Sequence, residues 1–209
     1  MIASLPESLN EQVLNFKRWA SSLPVPHHGE WESDYAEWPA LWSAAKSVLK
    51  SVPAVDWTEA CIANLVYAIA RDNSAELIMD ALPGNPDAAL KLARFAADSS
   101  EADAKWQLAT QLGTLSAHKQ DAEAILLRMV DDESEYVRRR SLLALGILKS
   151  RHAEALAEKA WLTGHEYQRT AALAALKDLN SAKLGDYIKK ATEDGRPFVV
   201  QAAREAGDV

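Results

Sequence analysis

The chain has 209 residues, 48% of them hydrophobic and 25% charged, which suits one globular domain or a short repeat array and excludes a disordered or fibrous protein. Its net charge of −7 argues against direct contact with nucleic acid, because binding to phosphates needs a basic surface. The excess of acidic residues lies in the first half of the chain: residues 1–104 hold 15 acidic and 7 basic residues, a net charge of −8. A partner selected by charge is therefore expected to be basic.

The sequence contains no apolar run of about 18 residues and no N-terminal secretory signal. Its single cysteine, Cys61, cannot form a disulfide within the chain. We therefore expect a cytoplasmic protein that makes no contact with a membrane.

Apolar residues recur at helical spacing along the whole chain, and alternating strand-like runs are missing. Pro86 suits the first turn of a helix, Ser74 and Ser181 suit N-caps, and Gly164 and Gly195 suit left-handed helix ends. The spacing predicts helices at 7–22, 36–51, 56–71, 74–82, 86–98, 101–115, 121–130, 133–149, 152–162, 165–179, 181–193 and 197–206.

The second half of the chain repeats itself. Residues 136–145, YVRRRSLLAL, align with residues 167–176, YQRTAALAAL, at an offset of 31. Residues 105–113 align with 138–146 at an offset of 33, and Phe198 starts a further, weaker copy. Helix pairs that recur at this interval indicate an α-solenoid, in which stacked pairs cover apolar surface that one pair cannot cover alone.

The stretch 125–148, ILLRMVDDESEYVRRRSLLALGIL, resembles a HEAT repeat: an apolar helix, an aspartate-rich turn, and a second helix that begins with Val-Arg and ends in Leu-Gly. The likeness is recognisable at 152–179 and degenerate at 86–115 and 181–206. It implies an all-α protein, a right-handed α-α superhelix of about five to six helix pairs.

The resemblance also implies an organisation and roles for particular residues. We expect a single α-solenoid domain over residues 1–209, with a divergent N-terminal helical cap at 1–52 and HEAT-like repeats at 53–209. In the family, the turn aspartate and the arginine after it tie neighbouring repeats together. Those positions are Asp132 and Arg138 in this chain, and Arg169 matches Arg138.

Residues that carry catalysis are scarce. Cys61 lies among apolar residues, whereas a nucleophilic cysteine needs an accessible, electropositive setting. His27 and His28, followed by Glu30 and Glu32, form at most a weak metal site because they lack a closed tetrahedral ligand set. We therefore predict no catalytic residue, no metal site and no cofactor.

The acidic aromatic segment 30–42 is the least ordinary part of the sequence. On a helix that begins near Ser33, Tyr35, Trp38 and Trp42 share one face, which either caps the first repeat or contacts a partner. Aromatic anchors among carboxylates suit a basic protein partner, and Trp31 is hard to assign to a core. The first candidate binding residues are Trp31, Asp34, Tyr35, Glu37 and Trp38.

HEAT geometry implies a second candidate surface, because the second helix of each pair lines the concave face in that family. It would expose Trp106, Arg139 and Gln168.

These features favour a non-catalytic binding protein for a basic protein partner, either a monomer or one half of a 1:1 complex. We expect a bacterial immunity protein, of the kind found in toxin–antitoxin and contact-dependent growth inhibition systems, that covers the active or substrate-binding surface of a nuclease-type toxin. The alternative is a general HEAT-repeat scaffold or regulatory module. A third reading is an alkylpurine DNA glycosylase-like enzyme, which resembles this chain in size and would use the residues Asp103, Trp106, Arg138, Arg139 and Trp161.

Overall fold

A computed structural model describes residues 4–27 and 29–207 of the chain. These residues form eleven α-helices and no β-strand, which confirms the predicted all-α class. The helices are α1 (Leu5–Ser21), α2 (Trp38–Ser51), α3 (Glu59–Arg71), α4 (Pro86–Ala97), α5 (Ala102–Leu112), α6 (Lys119–Met129), α7 (Glu135–Ile147), α8 (Ala153–Leu162), α9 (Glu166–Asp178), α10 (Leu184–Asp194) and α11 (Pro197–Gly207).

Several predicted helix ends are confirmed. Pro86 begins α4, where its missing N–H removes no helical hydrogen bond. Gly164 and Gly195 adopt left-handed conformations with φ of +71° and +77° after α8 and α10. Ser181, however, is not an N-cap, because α10 begins three residues later and Lys183 precedes it.

The helix predicted at 74–82 is wrong, and the structure has only a 3-10 helix at Met79–Ala81. Glu76 lies in the left-handed region, with φ of 52°, which interrupts a right-handed helix. The side chain of Asp72 then accepts a hydrogen bond of 2.7 Å from the backbone N–H of Ile78. This side-chain contact replaces helical bonding in the turn, so Ser74 does not cap a helix.

The chain divides into two compact units, Met1–Leu108 and Ala109–Val209, and α5 crosses the division. In the first unit α1 packs on α2 and α3, and α3 packs on α4. The buried side chains at its centre are aliphatic and aromatic, and include Leu9, Val13, Phe16, Leu41 and Leu65. The predicted division between a cap at 1–52 and repeats at 53–209 stays a prediction.

In the second unit the helices pack as consecutive pairs: α6 with α7, α8 with α9, and α10 with α11. The second helices are also neighbours, because α9 contacts both α7 and α11. Small residues allow this approach: a Cβ atom added to Gly146 of α7 would lie 2.9 Å from Cα of Ala175 in α9. The Leu-Gly end of α7 therefore serves close packing against α9.

The turns after α7 and α9 repeat the same bonds 31 residues apart. Ser150 Oγ donates to the carboxylate of Glu123, and Ser181 Oγ donates to that of Glu154. The backbone N–H groups of the two serines donate to the carbonyl oxygens of Leu145 and Leu176. The sequence offset therefore corresponds to a repeated local geometry.

The arginines at the repeated Val-Arg position bind differently. Arg138 Nη1 donates to the carbonyl oxygens of Asp132, at 2.7 Å, and Glu133, at 2.8 Å, within its own turn. Arg169 Nη1 instead binds the carboxylate of Asp194, at the end of α10. Arg169 therefore links α9 to the end of α10, and the family roles of these positions stay a prediction.

Candidate functional site

The acidic aromatic segment does not form the single helix expected for it. Trp31–Asp34 is a short 3-10 helix, Tyr35 is extended with ψ of 112°, and α2 begins at Trp38. Pro39 accounts for this start, because proline lacks an N–H and its ring clashes with a preceding helical turn, so it fits only the first turn of a helix. The prediction that Tyr35, Trp38 and Trp42 share one face of a helix is therefore wrong, because Tyr35 lies before the start of α2.

Phe16 of α1 is the centre of an aromatic cluster. Its ring centroid lies 4.8 Å from that of Tyr35 and 5.3 Å from that of Trp38, and both residues are buried, with 5% and 7% of their surface exposed. These two candidate binding residues therefore pack mainly within the first unit. Phe16 also contacts the rings of Trp19, Trp31 and Tyr67.

Trp31, which resisted assignment to a core, is half-buried. Its ring stacks on that of Trp19, with centroids 5.7 Å apart and planes at 16°, and the ring of His27 lies 4.0 Å away. Trp31 is therefore part of the aromatic packing between the end of α1 and the 3-10 helix.

The two acidic candidates, Asp34 and Glu37, remain exposed. Both line an open depression of about 410 Å³ whose aromatic residues are Trp19 and Tyr35. Tyr35 Oη is buried and has no hydrogen-bond partner among the described residues, and burial raises the pKa of this phenol, so it remains a donor. The other lining residues are Asn15, Arg18 and Ala36.

A second, smaller pocket of about 170 Å³ lies in the same unit. The stacked rings of Trp38 and Trp42, 5.4 Å apart at 17°, form part of its wall. Their indole N–H groups are held by the carbonyl oxygen of Glu32, at 2.7 Å, and by Asp72 Oδ1, at 2.9 Å. The remaining lining residues are Ser33, Arg71, Ser74 and Ala75.

Both carboxylates of this pocket are buried, Glu32 with 7% and Asp72 with 2% of its surface exposed. Burial is the main cause that raises the pKa of each carboxyl above its ordinary value. Asp72 is stabilised by the Ile78 N–H and the Trp42 indole, whereas Glu32 Oε1 lies 3.8 Å from Arg71 Nη1, beyond hydrogen-bonding distance.

Arg71 has a closer partner in Glu101, whose Oε2 lies 2.5 Å from its Nη2. The charge of Glu32 is therefore compensated only in part. Sequence reasoning missed Arg71 and Asp72 and considered Glu32 only as a neighbour of His27 and His28, because the charge pattern along the chain gives no sign of which charged residues the fold buries together.

The candidates of the second surface fall into different units. Trp106 belongs to the first unit, is buried, and donates through Nε1 to Asp103 Oδ1 at 3.1 Å. Arg139 and Gln168 belong to the second unit, where Glu135 brings them together. Its Oε1 accepts from Gln168 Nε2 at 3.0 Å and lies 3.4 Å from Arg139 Nε.

Gln168 is buried, which leaves Arg139 and its aromatic neighbours as the accessible part of this surface. The guanidinium carbon of Arg139 lies 4.6 Å from the ring centroid of Tyr136 and 4.7 Å from that of Tyr167. The ring centroids of Tyr167 and Phe198 lie 6.2 Å apart, and these two residues are 42% and 56% exposed. The three aromatic residues at the repeat interval therefore form a partly exposed row.

Three further features concern the reactivity of Cys61, the binding of metal ions and the crossing of a membrane. Burial raises the pKa of the Cys61 thiol, which disfavours the reactive thiolate. The described residues hold no group of three or more histidine, cysteine, aspartate or glutamate side chains placed to bind a metal ion, and His28 lies outside them. None of the described helices has the length and apolar composition needed to cross a bilayer.

Four of the five residues that the glycosylase hypothesis would use are buried or bound to other groups of the chain. Trp106 and Trp161 are buried, and Asp103 binds both Trp106 and the side-chain amide of Asn73. Arg138 is bound to carbonyl groups of its own turn.

No family model, curated protein or solved structure significantly matches this chain.

Proposed function

We propose that this chain is a non-catalytic α-solenoid that binds a basic protein through the acidic depression at its N-terminal end. The single observation that carries the proposal is the pairing of exposed Asp34 and Glu37 with Trp19 and Tyr35 in one open depression. The half-buried ring of Trp19 supplies most of the aromatic contact area, and the carboxylates accelerate encounter with a cationic partner.

The biological role that suits this binding best is that of a cytoplasmic immunity protein. An acidic protein of this size can occupy the cationic groove in which a nuclease-type toxin holds its substrate, and steering by opposite charge makes the inhibition fast. A right-handed superhelix of HEAT-like pairs is the proposed framework. It is supported by the neighbouring second helices α7, α9 and α11 and by the bonds that recur at an interval of 31 residues.

The first test is capture of the partner from the native organism, with the intact protein as bait at low and high salt. We expect one basic nuclease-like protein at 1:1 stoichiometry, retained under both conditions, whose nuclease activity the chain inhibits. Several weakly held proteins, or a captured protein whose activity is unchanged, would contradict the immunity role.

The second test measures the association rate with that partner at low ionic strength. The Asp34→Lys/Glu37→Lys variant is expected to associate on the order of tenfold more slowly, because the steering charge is reversed. The matched control is Glu11→Lys/Asp80→Lys, which makes the same charge change at exposed positions of the same unit. Equal rates for both double variants would show that the depression does not steer binding.

The variant is not expected to disturb the start of α2, because the side chain of Glu37 makes no capping hydrogen bond. Far-ultraviolet circular dichroism checks this point, and a loss of helix content would return the segment to a purely structural role.

A general scaffold is the second candidate function, and the row of Tyr136, Tyr167 and Phe198 favours it. Their partial exposure in the second unit offers a surface apart from the acidic depression, as a scaffold with more than one partner requires. A scaffold would retain several partners in the capture experiment, and its loss would produce a phenotype without any toxin.

A further inference from the structure

The smaller pocket of the first unit has a chemistry of its own. It combines two indole rings with two buried carboxylates, Glu32 and Asp72, and one arginine, Arg71. Because Glu101 binds Arg71 at 2.5 Å, the negative charge that faces the pocket exceeds the positive charge. An anionic pocket with aromatic walls is suited to an organic cation.

Glu32 is the residue that points to a ligand. Its side chain is 10% exposed, and the distance of 3.8 Å to Arg71 Nη1 is too long for a hydrogen bond. A buried carboxylate whose ion pair is this long, with a cation that another carboxylate binds more closely, keeps part of its desolvation cost, and a cation that enters the pocket would relieve that cost. The carboxylate of Asp72 is already stabilised by hydrogen bonds from a backbone N–H and an indole N–H, so it does not require a cation in the pocket.

The dimensions of the pocket narrow the class of cation. A cavity of about 150 Å³ in a protein interior accommodates benzene, so 170 Å³ is enough for a planar guanidinium and part of its alkyl stem. A guanidinium stacks on aromatic rings and forms paired hydrogen bonds with a carboxylate, whereas a lysine ammonium does neither as well. Trp42 is only half-buried, so the pocket can be reached from solvent.

We propose that the pocket lined by Glu32, Trp38 and Trp42 binds an alkylguanidinium group, supplied by an arginine side chain of the basic partner. The identity of the carrier rests on the proposed function, and the guanidinium chemistry rests on the pocket alone. Glu32 would accept hydrogen bonds from the guanidinium, and an indole ring would cover its face.

The direct test uses small probes on the intact chain. The indole N–H signals of Trp38 and Trp42 are followed by nuclear magnetic resonance while N-acetyl-arginine methylamide is added. We expect saturable shifts of these two signals. Much smaller shifts are expected with the lysine analogue, and none with the neutral, nearly isosteric citrulline analogue. Equal shifts with citrulline, or none with arginine, would overturn the proposal.

The matched variants are Glu32→Gln and Glu11→Gln, which remove the same charge inside and outside the pocket. Glu32→Gln is expected to weaken binding of the arginine probe by about tenfold or more, since a charge-assisted hydrogen bond is lost. Glu11→Gln, at an exposed position of α1, is expected to leave it unchanged. Equal affinities for the two variants would refute the role of Glu32.

A measurement on the unaltered protein guards against misfolding of the Glu32 variant. The charged and titratable groups that act on Glu32 are Arg71 of α3, Asp103 of α5 and His27 of the preceding loop. Because only the ionised carboxylate binds a cation, affinity for the arginine probe should fall as the pH decreases through the raised pKa of Glu32. An affinity that does not change over this range would contradict the proposed contact.

Two further probes show whether the guanidinium group belongs to an arginine of a protein or to a free small molecule. A blocked peptide with one arginine between glycines should bind as well as free methylguanidinium if the pocket accepts an arginine of a protein. Binding of methylguanidinium alone would instead indicate a free small molecule and would overturn the assignment to the partner. This result is independent of the test of Asp34 and Glu37, which do not line the pocket.

Discussion

The two units of the chain differ in how their side chains hold the fold together. Residues 1–108 contain six of the seven tryptophans and 15 acidic against 8 basic residues, whereas residues 109–209 contain 15 of each charge. The first unit is organised around aromatic rings that meet at Phe16. The second is organised by close helix contacts at small residues and by polar bonds that recur along the chain.

The two units also differ in how many of their polar side chains are used by the fold itself. In the second unit, side chains such as Ser150 and Arg169 are used in turns and between helices. The first unit instead combines exposed carboxylates, an open depression and a pocket with a weakly paired buried charge. We therefore propose that the first unit carries the binding function.

The largest expected effect tests the aromatic organisation of the first unit. Phe16→Ala should lower the free energy of unfolding by about 3–5 kcal/mol, because it leaves a cavity among five aromatic side chains. Leu14→Ala is the control on the same helix, since Leu14 is 48% exposed and should change stability by no more than about 0.5 kcal/mol. Denaturation by urea measures both, and a small loss for Phe16→Ala would show that the cluster does not hold the unit.

An intermediate effect tests the close packing of the second unit. Gly146→Ala places a Cβ 2.9 Å from the backbone of Ala175, and such overpacking should cost about 1–3 kcal/mol. Gly185→Ala in α10 meets no atom within 4 Å and should be neutral or stabilise by up to about 1 kcal/mol, because alanine favours a helix. Gly146→Ala should therefore lower the midpoint of thermal unfolding, whereas Gly185→Ala should leave it unchanged or raise it. A midpoint that Gly146→Ala does not lower, or that both substitutions lower equally, would contradict the account of Gly146.

The smallest expected effect is a dependence of folding stability on pH that comes from the buried carboxyl group of Glu32 in the first unit. Burial raises the pKa of Glu32, so the folded protein binds this proton more tightly than the unfolded chain does. This tighter proton binding stabilises the folded state fully at pH values below the ordinary pKa of 4.5. The stabilisation is lost as the pH rises through the higher pKa of the folded state. Arg71, Asp103 and His27 are the charged and titratable groups that act on it.

Glu32→Gln removes this titration while it keeps the shape of the side chain. The stability of the variant relative to the unaltered protein should therefore increase as the pH rises from about 4 to 7. Urea unfolding at several pH values measures the difference, with Glu11→Gln as the exposed control. A difference between variant and unaltered protein that is constant with pH would mean that burial does not perturb Glu32.

Much of the fold could be predicted because its signals are local. Apolar spacing located eleven helices within a few residues, and Pro86, Gly164 and Gly195 marked helix ends correctly. The helix predicted at 74–82 failed because Asp72 binds the backbone of Ile78, a contact that helix propensity does not include.

The candidate site was less accessible to prediction. In the segment 30–42, Asp34 and Glu37 are exposed, as the binding hypothesis needs. Tyr35 and Trp38 pack against Phe16, and Gln168 is buried against Glu135. Whether an aromatic or amide side chain faces solvent depends on which distant helix covers it.

The amino-acid sequence by itself determined the all-helical class, the interval of the repeat and the concentration of negative charge in the first half. Each of these depends on composition or on spacing along one helix, which neighbouring residues largely decide. Tertiary structure alone decided that Glu32 is buried beside Arg71, 39 positions away along the chain, and that two tryptophans wall the same pocket. Burial, charge pairing and pocket shape arise where distant segments meet, and they are properties of the packed chain.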